Sequence, residues 1–382
     1  VFVEITEETV MEELMNKGPD ELQNEVQKAD LCTGCGMCVG LCPYIKEMDE
    51  KVAIIERCGR MEGRCYRFCP RTPTDIDALD EMVFGSKRAD VVLGSYRSLD
   101  MARTCDADVQ EGGQYGGVVS ALIIHALEQG LIDAALLTGY SERKHVLPRP
   151  VVARTREEVL ACSGSKYTAA PTLSELSELL KTGEKLAIVG RPCQVTAIRK
   201  MQLYDDRPEL GNIKLVIGLF CLWALDYGRY SSYLGSQVDL KKIDKIDIPR
   251  NDDFIVYTNG DKARVPIDKI KSFVRPTCDL CFDVTAELAD ISVGSTEWQD
   301  DRNTVLVRSE AGEKLFGDAT KAKIIEVEEF PGEREEILRG AVGNKKKRVV
   351  KLLAERGNES SPLLYLKMDD ERRESFLKGG PK

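Results

Sequence analysis

The chain of 382 residues carries only two histidines, His125 and His145. That leaves little room for a histidine-rich metal site or a serine-histidine-aspartate relay, and His125 reads as an ordinary packed or exposed residue on a helix face. Long apolar runs are missing as well. The strongest, Gly218 to Leu225, falls far short of the roughly 20 residues a bilayer core requires, so no transmembrane segment is expected. The acidic opening from Val1 to Glu13 does not read as a secretory signal, which makes a cytoplasmic protein the expectation. Positive charge is in short supply: 54 Lys and Arg against 64 Asp and Glu give a net charge of −10. General nucleic-acid binding needs a basic surface and is not expected. The one basic run, Lys345 to Arg348, reads as a solvated helix end. There is no Walker A loop, no His-Glu-x-x-His, no Gly-x-Ser-x-Gly, no repeat and no low-complexity tract.

What the chain has is cysteine. Its length suggests two or three domains, and in a cytoplasmic chain 13 cysteines point to metal ligation rather than disulfides. Seven lie between Cys32 and Cys69, and this step in density marks a small cysteine-rich domain before a larger one. Cys32-x2-Cys35-x2-Cys38-x3-Cys42-Pro43 follows the bacterial ferredoxin run residue for residue, in which three thiolates wrap one cubane and the fourth serves a second. The companion motif, Cys58-x6-Cys65-x3-Cys69-Pro70, is irregular. Cys69 fits as the remote ligand of the first cubane, whereas the second has three clear cysteines, Cys42, Cys58 and Cys65. Glu62 or another outside group completes that second cluster, or it has three irons, or the site is empty. The first 50 residues hold 12 acids against 3 bases, a surface that steers a docking partner or merely keeps an N-terminal helix soluble.

From Val91 onward short apolar runs alternate with helical stretches, which predicts an α/β layout. Helices are expected over Val118 to Glu128, Thr172 to Lys181 and Val195 to Met201. Strands are expected over Leu131 to Thr138, Lys185 to Val189, Ile213 to Phe220, Ile291 to Val293 and Val305 to Arg308, and a charged helical tail from about Glu333. Cys193 and Cys221 each fall just past an apolar strand, where open α/β sheets hold ligands. With Cys278-x2-Cys281 they read as a third cubane or as buried apolar thiols. Glu111-Gly-Gly-Gln-Tyr-Gly-Gly117 runs straight into a helix and offers backbone N–H groups to a pyrophosphate, although no clean strand precedes it. Ser163 to Tyr167 and Gly294 to Trp298 read as further phosphate or ring cradles, or as turns.

Gln114 to Leu122, Cys162 to Tyr167 with Pro171-Thr-Leu, Val189 to Lys200 and Arg275 to Asp283, in that order, resemble the coenzyme F420 hydrogenase/dehydrogenase beta-subunit family. The resemblance runs from about Gln114 to Arg308. It implies a small ferredoxin-like domain for two 4Fe-4S clusters over residues 1–85, a larger mixed α/β domain for FAD and 4Fe-4S over 86–345, and a charged helical tail over 346–382. It makes Cys193, Cys221, Cys278 and Cys281 the flavin-proximal cluster ligands. The flavin contacts it implies are Gln114, Tyr115, Gly116, Gly117, Ser120, Ser163, Gly164, Ser165, Lys166, Tyr167, Arg191 and Gln194, with Lys166 and Arg191 holding anionic flavin or substrate groups. Two or three 4Fe-4S clusters, FAD and coenzyme F420 as a substrate are then expected. So is a partner redox subunit of hydrogenase, formate dehydrogenase, heterodisulfide reductase or membrane dehydrogenase type. The chain departs from the family where Gly294 to Thr304 is rich in acids rather than glycine.

Overall fold

The computed structural model describes residues 7–249, 253–296, 298–359 and 361–378. Glu4 of the acidic opening and Glu297 of the third glycine-containing segment lie outside the described residues. The central feature is an eight-stranded sheet of β1 (Ser98–Thr104), β2 (Ala134–Tyr140), β3 (Pro148–Ala153), β4 (Leu186–Gly190), β5 (Ile213–Leu219), β6 (Ile291–Ser295), β7 (Asn303–Val307) and β8 (Ile325–Glu329), in the order β8-β1-β7-β6-β5-β4-β2-β3. The middle strands β6, β5, β4 and β2 are mutually parallel, and the flanking pairs are antiparallel. Parallel strands are covered on both faces and read as continuous apolar runs. Leu186-Ala-Ile-Val-Gly190 is buried at every position. The helices over Val118–Glu128 and Pro192–Tyr204 follow the predicted positions, the second with Pro192 in its first turn, where a missing N–H costs nothing.

Several elements escaped the sequence reading. β1 does precede the glycine cluster, with the helix Ala107–Gly112 between them. β3 and β8 sit at the two edges of the sheet. A separate three-stranded sheet over Ile243–Asp247, Phe254–Thr258 and Asp261–Val265 packs with Tyr230, Leu234 and Phe273. Its hairpin turns on Asn259-Gly260, both at positive φ, an Asn-Gly signal legible in the chain.

The cysteine-rich segment is not a detached module. Cys35, Met37, Phe68 and Leu79 share one apolar cluster with Leu173, Leu186 and Ile188 of the sheet domain. Leu14, Val26 and Tyr66 share another with Leu280, Phe282 and Val349. Leu366–Lys367, from the tail, pairs in parallel with Thr74–Asp75. The expected division at residue 346 falls inside the continuous helix Gly332–Arg356. Lys345 and Lys346, expected to be solvated, are buried on that helix: Lys345 Nζ donates to the carbonyls of Cys221 at 3.3 Å and Leu222 at 3.2 Å, and Lys346 Nζ to that of Val91 at 2.9 Å. Part of the acidic front is internal too: buried Glu50 accepts from the Tyr227 N–H at 3.2 Å, whereas Glu25 stays exposed while accepting from the Tyr66 hydroxyl at 2.5 Å. Among the described residues no helix is long and apolar enough to cross a membrane.

Glu287 ties these parts together. Buried, it pairs with Lys346 at 2.7 Å and with Arg88, whose Nε also meets Asp80 at 2.6 Å. Burial pushes the Glu287 carboxyl up, but Lys346 and Arg88 outweigh it and hold the carboxyl below its ordinary range. Removing one member of a buried ion network leaves the others unpaired, at about 3–5 kcal/mol. Glu287→Ala should therefore lower the unfolding free energy by about that amount in urea titrations. A lowered folded pKa gives stability present above the ordinary carboxylate pKa and lost as pH falls through the folded value. The variant should accordingly show a shallower acid limb than the parent.

Candidate functional site

Cys193 and Cys221 follow the adjacent parallel strands β4 and β5, so strand order alone sets them side by side at the carboxyl edge. The structure brings the remaining thiols into three neighbourhoods. Cys32, Cys35, Cys38 and Cys69 line one pocket with the apolar side chains of Leu22, Val26 and Val52. Cys65 lies within electrostatic reach of Cys42 and Cys58. Cys221 and Cys278 are within reach of each other and of Cys193, and Cys278 of Cys281. The neighbourhoods touch in turn, through Cys35 and Cys193 and through Cys38 and Cys65. Cys105 is exposed, and Cys162 lies beside Lys166. Glu62, weighed as a fourth ligand for the Cys42 set, instead faces Arg67 at 3.8 Å with its side chain 64% exposed.

The donor chemistry fits polynuclear iron. Burial pushes Cys65 up to about 11 and Cys69 and Cys221 to about 12, and it raises Cys35 and Cys38 as well. Thiols held there without a cation stay protonated; coordination to a metal removes the proton. Among the described residues no three His, Cys, Asp or Glu side chains are gathered tightly enough to grip a single ion. A cubane, by contrast, asks each thiolate to hold a different iron.

Two loops lock the first and third thiol sets together. Arg275 donates to the carbonyls of Cys32 at 3.0 Å, Thr33 at 3.4 Å and Glu50 at 3.3 Å, and the Thr277 hydroxyl donates to Leu31 O at 2.6 Å. Gly36, at φ +88, lies so close to the sheet domain that a Cβ there would stand 2.4 Å from Pro171 O. Cations gather at the same junction. For half-buried Arg191, burial works against the charge, but Cys193, Cys221, Cys278 and Cys35 together raise its pKa. Lys200, fully buried, donates to the carbonyls of Cys69 and Pro73, each at 2.8 Å. Arg71 was not named from the sequence, although it directly follows Cys69-Pro70; Lys200 and Arg275 entered only as ends of the family-like segments, and Lys345 only as a solvated cation.

The glycine cluster and the Ser163 segment form one site. Gly116 packs where a Cβ would come within 2.5 Å of Ala102 O on β1, and Tyr115 and Gly117 both take positive φ to start the helix Val118–Glu128. Ser120 Oγ lies 3.1 Å from Ser163 Oγ. Gln114 Nε2 donates to the Tyr167 hydroxyl at 3.1 Å and to Asp247. Gln114 Oε1 and Thr168 Oγ1 are buried without a partner. Orphaned polar atoms are costly, and together with paired hydroxyls at a helix N-terminus they suit a nucleotide. Two expected contacts are used differently. Lys166 Nζ turns back onto the carbonyls of Cys162, Ser163 at 2.8 Å and Gly164 at 2.9 Å, engaging all three donors. Gln194 caps its own helix, accepting from Arg191 N–H at 2.9 Å and donating to Ala170 O at 3.0 Å. Burial pulls Lys166 down to about 8, against a smaller opposing pull from the neighbouring Cys162. Ser165 accepts through its carbonyl from Tyr140 at 3.5 Å.

This cradle runs into the third thiol set. Leu225 N–H donates to Tyr167 O at 2.8 Å, and Ala169 N–H to Leu225 O at 3.3 Å. The neighbouring Ala224 N–H donates to Cys278 Sγ at 3.3 Å, and the Cys221 thiol lies 3.6 Å from Trp223 O. The rings of Tyr167 and Trp223 stand 6.2 Å apart.

Known proteins share this arrangement of the chain. Two halves of one family, described as the beta subunit of coenzyme F420 hydrogenase/dehydrogenase, match in order: the N-terminal half matches residues 101–177 and the C-terminal half 183–333. The coenzyme F420 hydrogenase subunit beta of Methanothermobacter thermautotrophicus is 34% identical over 242 residues, 62% of this chain and 85% of that subunit. The coenzyme F420-dependent sulfite reductase of Methanocaldococcus jannaschii is 31% identical over 327 residues, 80% of this chain; the chain spans about half, 49%, of that enzyme. A chain of the F420-reducing nickel-iron hydrogenase complex from Methanosarcina barkeri, solved with xenon, superposes with a TM-score of 0.65 at 30% identity, over 71% of this chain and 97% of that one. The chain therefore belongs to the coenzyme F420 hydrogenase/dehydrogenase beta-subunit family of oxidoreductases.

Proposed function

We propose that this chain is an iron-sulfur flavoprotein subunit that exchanges a hydride with coenzyme F420 at FAD and passes single electrons through 4Fe-4S clusters to or from a partner redox subunit. The names of its relatives, two of them F420-linked hydrogenase components, support the carrier and the partner class. A bound flavin supplies the conversion between two-electron hydride chemistry and one-electron transfer, while protein groups supply position and electrostatics. Gln114 through its unpartnered Oε1, Ser120, Ser163 and the start of the helix Val118–Glu128 would hold it. Cys193, Cys221, Cys278 and Cys281 would hold the nearest cluster. Cys32, Cys35, Cys38 and Cys69 would hold the next, and Cys42, Cys58 and Cys65 a third with an iron open to an outside ligand. The observation that carries this reading is the hydrogen-bonded run of Tyr167 to Ala169 against Leu225, one residue from the N–H that reaches Cys278 Sγ.

In this reading the protein excludes water and fixes distances. Tyr167 and Trp223 close the apolar side between cradle and thiols. Arg191, charged at every physiological pH, faces thiols of both the first and third sets and stabilises negative charge arriving at either.

Purified without oxygen, the protein should release FAD on acid treatment and contain iron and sulfide. Stopped-flow mixing with reduced F420 should bleach the flavin faster than NADH does. Faster bleaching by NADH would move the reading to a nicotinamide-linked or small-substrate reductase, and iron and sulfide without flavin to a pure electron relay. Cys278→Ser should leave the flavin reducible by its carrier while slowing onward transfer to an artificial acceptor at least tenfold. Transfer at the parent rate would remove the back-half cluster from the path.

A further inference from the structure

Among the described residues Arg71 is a buried cation with few partners. It is 5% exposed and comes from the cysteine-rich segment, outside the residues that the family descriptions match. A guanidinium has five donors. Arg71 makes one long hydrogen bond, Nη2 to Thr277 O at 3.5 Å; its Nε is buried without a partner, and the Tyr365 ring lies 4.5 Å from its Cζ. Among the described residues it has no ion pair with an Asp or Glu. Other buried cations are provided for. Arg88 has Asp80 and Glu287, Arg199 has Asp290 at 3.1 Å, and Arg308, which has no carboxylate in contact, donates to Ser292, Leu93, Ser95 and Thr285. An unpaired buried charge is not tolerated without compensation. Arg71 lies within electrostatic reach of Cys281 and Cys193 of the back-half set, and also of Cys69 of the first set. Tyr365 in turn is fixed by its hydroxyl, which donates to Leu280 O at 2.8 Å beside Cys281.

We propose that Arg71 is the counter-charge of the cluster held by Cys193, Cys221, Cys278 and Cys281, and that it raises that cluster's reduction potential from across the junction between the two parts of the chain. The inference rests on the cluster reading above. Each electron added to a thiolate-bound cluster makes it more negative, and a fixed cation in a low-dielectric site favours that reduced form. Arg71 is a positioning residue: it contacts ligands, not substrate. The cysteine-rich segment would thereby bias the electron it is about to receive.

The test is an EPR-monitored redox titration of the anoxically purified full chain. Arg71→Gln should shift the one-electron equilibrium of the back-half cluster toward the oxidised form by tenfold or more, which is 59 mV or more downward for one electron. Arg71→Met removes the charge together with its desolvation cost and so serves where the glutamine variant assembles poorly; it should shift the same way. Arg71→Lys keeps the charge and should retain most of the parental potential. A midpoint unchanged in Arg71→Gln or Arg71→Met at parental iron content overturns the proposal, as does a fall in Arg71→Lys equal to theirs. The underlying cluster reading is checked separately by counting iron and sulfide. Because a serine oxygen can itself hold iron, the decisive count is made not in Cys278→Ser but in the double variant Cys278→Ala, Cys281→Ala: if iron there equals the parent's, the back-half cluster is absent and the assignment of Arg71 falls with it.

Discussion

Charge carried into the interior is the constraint on which the rest of this molecule depends. Buried thiols resist ionisation, buried cations resist being left alone, and each makes the other tenable only if they are brought together. In this chain they meet where the loop Arg275 to Cys281 lies on the loop Leu31 to Cys35. Arg71, Arg191 and Lys200 stand at that junction with thiols and carbonyls around them rather than carboxylates. Away from it, the same problem is solved in the ordinary way, with Glu287 serving both Arg88 and Lys346.

Because the junction is built from backbone carbonyls, it can be satisfied in only one register. Arg275 reads two carbonyls of the first cysteine loop and that of Glu50 at once, and Gly36 allows the loop to approach Pro171 more closely than any residue with a Cβ could. Shared apolar clusters then hold the approach: Phe68 and Leu79 pack with Leu186 and Ile188, and Tyr66 with Phe282 and Val349. The cysteine-rich segment is thus continuous with the sheet domain in packing, although composition separates them sharply. Rigid attachment suits a role in transferring electrons, since the rate falls steeply with separation and a flexible tether would leave separation to chance.

Much of this was legible in the chain, for reasons that can be named. Parallel strands such as Leu186 to Gly190 announce themselves because burial on both faces demands unbroken apolar sequence, and Cys193 and Cys221 follow them at the ligand-bearing edge. Cysteine spacing is local, so the ferredoxin-like run was readable directly, and Cys32, Cys35 and Cys38 line one pocket with Cys69. The edge strands Pro148–Ala153 and Ile325–Glu329 were not, because an edge strand carries a mixed pattern that periodicity does not separate from a loop. Lys345 and Lys346 misled for a different reason. A run of four basic residues looks solvated unless the carbonyls of Cys221 and Leu222 and the carboxylate of Glu287, far away in sequence, are known to be waiting for it. Lys166 and Gln194, expected as flavin contacts, also engage nearby backbone groups that local sequence does not announce.

The cradle and the third thiol set leave the sheet at different places. The glycine cluster leaves β1 near the strand ends that also deliver Asn303, whose Oδ1 accepts from Val118 N–H at 3.2 Å, while Cys193 and Cys221 leave β4 and β5. Nothing in strand order alone joins these two places. The join is made by the extended segment from Tyr167 to Ala170, which touches Gln114 at one end, Leu225 in the middle and Arg191 and Gln194 at the other. That segment gives its backbone polar groups to Leu225, Arg191 and Gln194 and the Tyr167 hydroxyl to Gln114, so movement of either place would have to break hydrogen bonds at the other. A stretch of four residues with no regular secondary structure therefore couples the two halves of the site more directly than any helix or strand in the molecule.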